Sequence, residues 1–221
     1  MLQLEGPETV MNRDAEVVHQ FELSGGALCL DFVNTVGDRP TFSNEHLHRY
    51  SDLLAWAEQA GVVTGPTSES LEAGSGDAPD ERRRVFRRAL RLRETLYRLF
   101  SALAADQTPR AGDLDALNRE LGRALSHLRV GDAGAGAGEF GWRWDGGPDR
   151  LERVVWPVAR SAAELLTSGE AAQIKECASE TCSWLFVDRS RTHRRRWCDM
   201  KSCGNRAKAR RHYRRKKAAS Q

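Results

Sequence analysis

The sequence predicts a mainly α-helical fold with a small β hairpin or sheet, in which a helical N-terminal body precedes a C-terminal module built around four cysteines. Three observations carry this prediction. Apolar residues recur at helical spacing over much of residues 44–168, and short alternating apolar stretches occur at residues 21–35 and 140–144. Four of the five cysteines form two close pairs after residue 176.

The composition is that of a soluble globular protein. Of the 221 residues, 40% are hydrophobic and 29% are charged, and no apolar run approaches the roughly 18 residues of a membrane span. The polar N-terminus lacks the basic-then-apolar order of a secretory signal. We therefore predict a cytoplasmic protein with no membrane partner, and a flexible extension over residues 1–19.

The predicted body spans residues 20–170, and its first half contains three features. Alternating apolar residues on either side of Gly25 and Gly26 predict a hairpin. A helix is expected over residues 44–60, where apolar residues recur at intervals of three and four. Residues 64–79 are rich in Gly, Ser, Pro and acidic residues without periodicity, which predicts a mobile loop.

The second half of the body predicts two long helices, a strand and a final helix. The apolar side of the first helix, which begins near Asp80, comprises Val85, Ala89, Leu92, Leu96, Leu99 and Leu103. That of the second, which begins near Asp113, comprises Leu114, Leu117, Leu121, Leu125 and Leu128. Residues 140–144 predict a short strand. Pro157 interrupts the last helix, residues 149–168, so we expect a kink or two abutting helices there.

The cysteine pairs predict one structural zinc ion. Cys177-x4-Cys182 and Cys198-x4-Cys203 are separated by fifteen residues, and two such pairs supply the four ligands of a closed tetrahedral site. Four thiolates leave no open position for a catalytic water. Disulfides fit poorly because the predicted compartment is reducing and Cys29 is remote in sequence. His193 and His212 are alternative ligands, although four sulfur atoms suffice.

The zinc module, residues 175–217, is expected to form a knuckle, a hairpin, a second knuckle and a basic helix. In this prediction residues 184–188 pair with residues 194–198, and residues 189–193 form the hairpin tip. Few large apolar side chains are present, so metal binding should drive its folding.

Charge divides the chain into two opposite parts. Residues 177–221 contain 14 Lys or Arg and 3 acidic residues, whereas the preceding part contains 20 basic and 28 acidic residues. A basic helix without an apolar face favours a polyanion, DNA or RNA, although a solvated basic tail is the alternative. The candidate nucleic-acid-binding residues are Arg189, Arg191, Arg194, Arg195, Arg196, Arg206, Lys208, Arg210, Arg211, Arg214 and Arg215.

Two stretches resemble a known pair of domains. The run Cys203-Gly204-Asn205-Arg206, with the preceding Cys182 to Arg191, resembles the CGNR zinc finger. Residues 26–35, GALCLDFVNT, resemble the opening of the ABATE domain, which typically precedes this finger in bacteria. The resemblance implies a stress-induced bacterial transcription regulator with a helical N-terminal domain and a zinc-dependent DNA-binding end.

Polar residues in the body give one further candidate site. Asp31 and Asn34 could hydrogen-bond a small-molecule effector beneath Trp142 or Trp144, but we favour the simpler interpretation that they satisfy backbone groups at a strand end or helix cap. No nucleophile–base pair, open metal site or phosphate loop predicts an enzyme. The predicted function is a DNA-binding transcription regulator whose body senses an effector or forms a homodimer. An RNA-binding or protein-interaction zinc module is the alternative.

Overall fold

The computed structural model describes residues 20–39, 41–42, 44–74, 79–132, 138–147 and 150–218. Its helices are α1 (Leu28–Val33), α2 (Tyr50–Gln59), α3 (Gly65–Gly74), α4 (Pro79–Ala104), α5 (Ala111–Leu125), α6 (Trp156–Thr167) and α7 (Asn205–Ala218). Its strands are β1 (Val36–Gly37), β2 (Asn44–Glu45), β3 (Leu128–Asp132), β4 (Phe140–Trp144), β5 (Ile174–Glu176) and β6 (Leu185–Val187). Consecutive strands pair as three antiparallel two-stranded sheets, which confirms the predicted mainly helical fold. The predicted extension at residues 1–19 lies outside the described residues.

The central element is α4, against which α1, α2, α5 and the β5–β6 sheet pack. Asp80 and Glu81 lie in its first turn, where acidic side chains interact favourably with the helix dipole. Its buried side has the predicted spacing and includes Val85, Ala89, Leu92, Leu96 and Leu99. This continuous apolar stripe makes α4 the helix around which the body is assembled.

The hairpin predicted around Gly25 and Gly26 is wrong, because residues 28–33 form α1. The amides of Leu30 and Asp31 donate to the carbonyl of Ala27, which begins the helix. Cys29, Leu30, Phe32 and Val33 are all buried between α4 and α6. A six-residue helix that is buried on most of its surface has no polar face, so alternation in its sequence does not distinguish it from a strand.

Helix α2 begins later than predicted, and a helix occupies most of the predicted loop. Residues 44–45 form β2, and α2 starts at Tyr50 because the Asp52 carboxylate accepts hydrogen bonds from the amides of His48 and Arg49, at 2.7 and 3.1 Å. Residues 65–74 form α3 instead of a loop, and the burial of Leu71 accounts for its order. Residues 75–78 of the predicted loop lie outside the described residues.

The predicted apolar face of α5 is partly wrong. Leu117 is buried, but Leu114 and Leu125 are 38% and 45% exposed. The helix is oriented by Asp113, whose carboxylate accepts a 2.6 Å hydrogen bond from Arg98 of α4. Asp113 and Leu117 therefore face α4, and the chain leaves the helix after Leu125 to form β3.

Pro157 divides the last body segment into two abutting helices, as predicted. Residues 151–154 form a 3-10 turn, and α6 starts at Trp156 with the proline in its first turn. A proline is tolerated there because the first amides of a helix have no intrahelical acceptor.

The zinc module shares its first sheet with the body. One edge of β6 pairs with β5, and the other edge faces α1. The Asn34 side chain donates to the Leu185 carbonyl and accepts from the Leu185 amide, both at 2.9 Å. The Val187 amide donates to the carbonyl of Gly25, and the side chains of Leu185 and Val187 belong to the body core. The two predicted regions are thus joined by buried hydrogen bonds and by a common core.

We predict that Asn34→Ala lowers the free energy of unfolding by about 2–4 kcal/mol, because it leaves the buried amide and carbonyl of Leu185 without partners. Chemical denaturation of the zinc-loaded protein measures this change. The matched control is Asn118→Ala on the exposed side of α5, which should change the free energy by less than about 0.5 kcal/mol. Equal effects of the two substitutions would contradict the role assigned to Asn34.

Candidate metal centre and nucleic-acid interface

The four predicted zinc ligands lie together. The Sγ atoms of Cys177, Cys182, Cys198 and Cys203 are all within 4.8 Å of one another, and Cys198 Sγ lies 3.8 Å from that of Cys182 and 3.7 Å from that of Cys203. Four sulfur atoms at about 2.3 Å from a tetrahedral zinc ion would be about 3.8 Å apart. The cluster therefore fits one closed structural zinc site, as predicted.

Backbone hydrogen bonds position the two cysteine pairs. Cys177 directly follows β5, and its amide donates to the Trp184 carbonyl at 2.9 Å, which closes the loop that carries Cys182. Cys203 lies in a π-helical turn, Met200–Gly204, that leads directly into α7. The Asp199 carboxylate caps this turn by accepting from the Ser202 amide at 2.8 Å. The metal therefore connects the body-bound sheet with the basic helix.

Hydrogen bonds among the clustered thiols raise the pKa of Cys182 and of Cys198 and favour the thiolate form at Cys177. Hydrogen bonds from the thiols of Cys182 and Cys198 lower the pKa of the Cys177 thiol well below its ordinary value. Arg206 Nη2 donates to Cys203 Sγ at 3.0 Å, so the first turn of α7 places a cation against a metal ligand. By contrast, burial raises the pKa of the isolated Cys29 thiol to about 12, so this cysteine remains neutral.

The hairpin predicted within the zinc module is wrong. Residues 185–187 pair with β5 rather than with residues 194–198. The second segment is held by two separate contacts instead, from the Ala178 amide to the Arg196 carbonyl and from the Arg195 amide to the Asp188 carboxylate. The spacing of the cysteines does not predict that residues 185–187 pair with β5, because β5 lies before the first cysteine.

Asp188 organises the predicted tip, residues 189–193. Its fully buried carboxylate accepts from Lys175 Nζ at 2.6 Å, from Ser190 Oγ at 2.6 Å and from the Arg195 amide at 2.9 Å. Burial alone would raise the pKa of this carboxyl, but these donors outweigh burial and hold the pKa well below its ordinary value. Sequence reasoning missed this role of Asp188.

Six of the predicted nucleic-acid-binding residues make contacts within the protein. Arg189 binds Glu170 and the Gly26 carbonyl, and Arg195 binds the Trp197 carbonyl and stacks on Phe186. The guanidinium of Arg196 lies 5.4 Å from the Trp197 ring, and Arg206 binds Cys203. Arg210 and Arg214 both pair with Glu180, at 3.4 and 3.5 Å.

The other five predicted residues are exposed and make no hydrogen bond or ion pair with the residues that the structure describes. They are Arg191 and Arg194 near the tip and Lys208, Arg211 and Arg215 on α7. Exposed, unpaired cations of this kind are available to phosphate groups.

The predicted effector residues separate into two places. Asp31 and Asn34 line a cavity of about 580 Å³ between the body and the zinc module, which we call the body–module cavity. Its lining also includes His46, Cys182, Trp184 and Arg206. The expectation that Trp142 or Trp144 covers these residues is wrong. Trp142 is 60% exposed on β4, and Trp144 packs against Trp156, with ring centroids 5.8 Å apart.

The local environment of Asp31 distinguishes it from Asn34. Asn34 is bound on both sides to Leu185, so its predicted role in satisfying backbone groups accounts for its contacts. Asp31 accepts one hydrogen bond from the Gly25 amide, and burial raises the pKa of its carboxyl to about 6. Within the lining of the body–module cavity, Asp31 is therefore a carboxylate whose charged form is poorly solvated.

We predict that the purified chain contains one zinc ion and that Cys203→Ser lowers zinc affinity at least about tenfold, since it removes a ligand. Competition with a chromogenic chelator measures the affinity, and circular dichroism reports whether the zinc module unfolds on metal removal. Cys29→Ala is the control for loss of a thiol and should retain one zinc ion. A chain whose circular dichroism is unchanged by zinc removal would contradict a structural role for the metal.

Comparison with known families agrees with this arrangement. The ABATE domain, described as a proposed stress-induced transcription regulator, matches residues 26–169, and the CGNR zinc finger matches residues 173–216. No curated protein matches the chain. Among the described residues, none of the helices combines the length and the apolar character needed to cross a membrane.

Because the ABATE domain matches more than half of its residues, the chain belongs to the ABATE family, and its ABATE domain is followed by a CGNR zinc finger.

Proposed function

We propose that this chain is a DNA-binding transcription regulator in which α7 and the module tip contact the duplex. The observation that carries the proposal is the set of five exposed cations, Arg191, Arg194, Lys208, Arg211 and Arg215, that have no hydrogen-bond or ion-pair partner among the described residues. Because Cys203 and Arg206 connect this helix to the metal, its first turn is rigidly held. Phosphate contacts by such a surface supply affinity, and arginines that reach guanine edges supply sequence preference.

Glu180 limits the part of α7 that is available to DNA. Its carboxylate pairs with Arg210 and Arg214 across a groove of about 490 Å³ between the first cysteine pair and α7. These pairs are exposed and therefore weak. A phosphate group can replace the carboxylate, because it offers both arginines a stronger acceptor.

We predict that Arg211→Gln with Arg215→Gln weakens binding to duplex DNA and reduces the slope of log affinity against log salt by about 2, one unit for each lost phosphate contact. Glu180→Gln should have the opposite effect and strengthen binding, because it releases Arg210 and Arg214. Fluorescence anisotropy at several salt concentrations measures both changes. Arg83→Gln with Arg87→Gln on α4, which also removes two exposed positive charges, is the charge-matched control for the double variant.

The same titration separates the proposed function from its alternatives. Tighter binding to single-stranded or structured RNA than to any duplex DNA would favour the RNA-binding module. An affinity independent of salt would exclude a nucleic-acid role for α7. Equal, weak affinity for all duplexes selected from a random library would exclude a sequence-specific regulator.

We further propose that the body senses a small-molecule effector through the body–module cavity. Its walls come from both parts of the chain, so a bound molecule would contact Asp31 on α1 and the segments that carry Cys182 and Arg206. Such a ligand could change the position of α7 relative to the body. Homodimerisation remains the second role for the body, and it would use the exposed apolar side chains of Val130, Phe140 and Trp142.

We predict that Asp31→Asn alters regulation in cells but leaves the affinity of the purified protein for DNA unchanged, because the Asp31 carboxylate binds the Gly25 amide and makes no hydrogen bond or ion pair with the described residues of α7. A reporter driven by a promoter found through genome-wide mapping measures the first effect. Asp115→Asn, an exposed change on α5, is the control. An unchanged reporter response with Asp31→Asn would exclude the cavity as the sensor, and light scattering would then test the dimer.

A further inference from the structure

A second concave site lies within the body, between α4 and α5. Its volume is about 270 Å³, and it shares no residue with the body–module cavity. Four arginines line it, Arg88 and Arg91 from α4 and Arg119 and Arg123 from α5. We call it the arginine groove.

The charges in the arginine groove are unbalanced. Glu120 is the one acidic residue in its described lining, and it accepts from Arg88 Nε at 2.6 Å and from Arg123 Nη1 at 2.8 Å. Arg91 and Arg119 make no hydrogen bond or ion pair with the described residues. Glu120 is therefore already shared by two arginines, and two further guanidinium groups at the groove lack an anionic partner.

This accumulation of positive charge in the arginine groove is unfavourable unless an anion is present. Arg88 and Arg91 are three residues apart on one helix, and Arg119 and Arg123 are four residues apart on the facing helix. Like charges at these spacings repel each other. Over residues 1–176 acidic residues outnumber basic ones by 28 to 20, but α4 alone carries eight arginines and three acidic residues, so the groove lies on a locally basic helix.

The groove continues beyond the α4–α5 contact. Arg88 and Arg123 also line an adjoining recess of about 140 Å³, to which Arg150 contributes a further cation, Ser126 a hydroxyl group and Glu152 a carboxylate. Donors are therefore distributed along the groove rather than concentrated at one point. An anion with two linked charged groups can use such a row better than a single small ion.

We propose that the arginine groove binds a compact polyanion of the phosphate class, for which inorganic pyrophosphate is the simplest probe. Guanidinium groups bind phosphate oxygens through paired, charge-assisted hydrogen bonds, and this geometry favours phosphate over halide ions. The small volume restricts the bound part to one or two phosphate groups. This inference goes beyond the proposed function, because it concerns α4 and α5 and does not require that α7 bind DNA.

Isothermal titration of the full, zinc-loaded chain with pyrophosphate, in the absence of DNA and at constant ionic strength, tests the proposal. Arg91→Gln with Arg119→Gln should lower the affinity by about tenfold or more, because it removes the two unpaired donors. Arg83→Gln with Arg87→Gln removes the same total charge from the chain, but neither residue lines the groove. This control should bind pyrophosphate as the unmodified chain does. Both pairs are exposed, and circular dichroism verifies that each variant is folded.

Four outcomes would overturn the proposal. They are the absence of pyrophosphate binding, equal affinity in the groove variant and the control, tighter binding of citrate than of pyrophosphate, and a groove variant that loses DNA affinity but not pyrophosphate affinity. In the last case the groove extends the DNA-binding surface. Arg211→Gln with Arg215→Gln separates the two proposals, because it should weaken DNA binding and leave pyrophosphate binding unchanged.

Discussion

The arrangement of the whole chain depends on the two hydrogen bonds between the Asn34 side chain and the backbone of Leu185. A two-stranded sheet as short as β5–β6 is marginally stable alone. One amide side chain supplies a donor and an acceptor to the free edge of β6, as a neighbouring strand would. The body thereby completes the sheet from which the first cysteine pair emerges. The position of the metal relative to the body is consequently fixed.

Buried ion pairs strengthen the same joint from the side of the body. Arg93 donates to both carboxylate oxygens of Glu45, and these hydrogen bonds raise the pKa of Arg93 although burial opposes this. Arg39 is also buried and binds Glu94, and its amide donates to Ser183 of the zinc module at 3.0 Å. Breaking one such pair would leave an uncompensated buried charge, which is strongly destabilising. Both ion pairs lie within the body, so they fix the segment that carries Arg39, and the hydrogen bond from the Arg39 amide connects that segment to the zinc module.

The features that the sequence predicted correctly are those with a local physical cause. Cysteine spacing is sufficient to predict the four ligands, because a tetrahedral site restricts both number and type. The position of α4 follows from its apolar period, and the break before α6 follows from the geometry of Pro157. The errors concern choices made by tertiary contacts. Burial of α1 on most of its surface removed its helical period, and Asp113 oriented α5 through a residue fifteen positions away. The pairing of β5 with β6 depends on the body, which a local pattern does not contain.

Acidic side chains of the body and of the zinc module itself pair with some of the arginines of the module. Glu170 of the body holds Arg189, and Glu180 faces Arg210 and Arg214, so acidic side chains occupy the arginines closest to the folded core. Lys208, Arg211 and Arg215 lack such partners among the described residues, although Arg211 lies between the paired Arg210 and Arg214 in the sequence. An anionic ligand therefore meets two kinds of cation. Some must first break an ion pair with a carboxylate, and the others can bind the ligand directly. A phosphate group that replaces Glu180 would therefore release Arg210 and Arg214, whereas a contact at Arg211 or Arg215 would displace no carboxylate among the described residues.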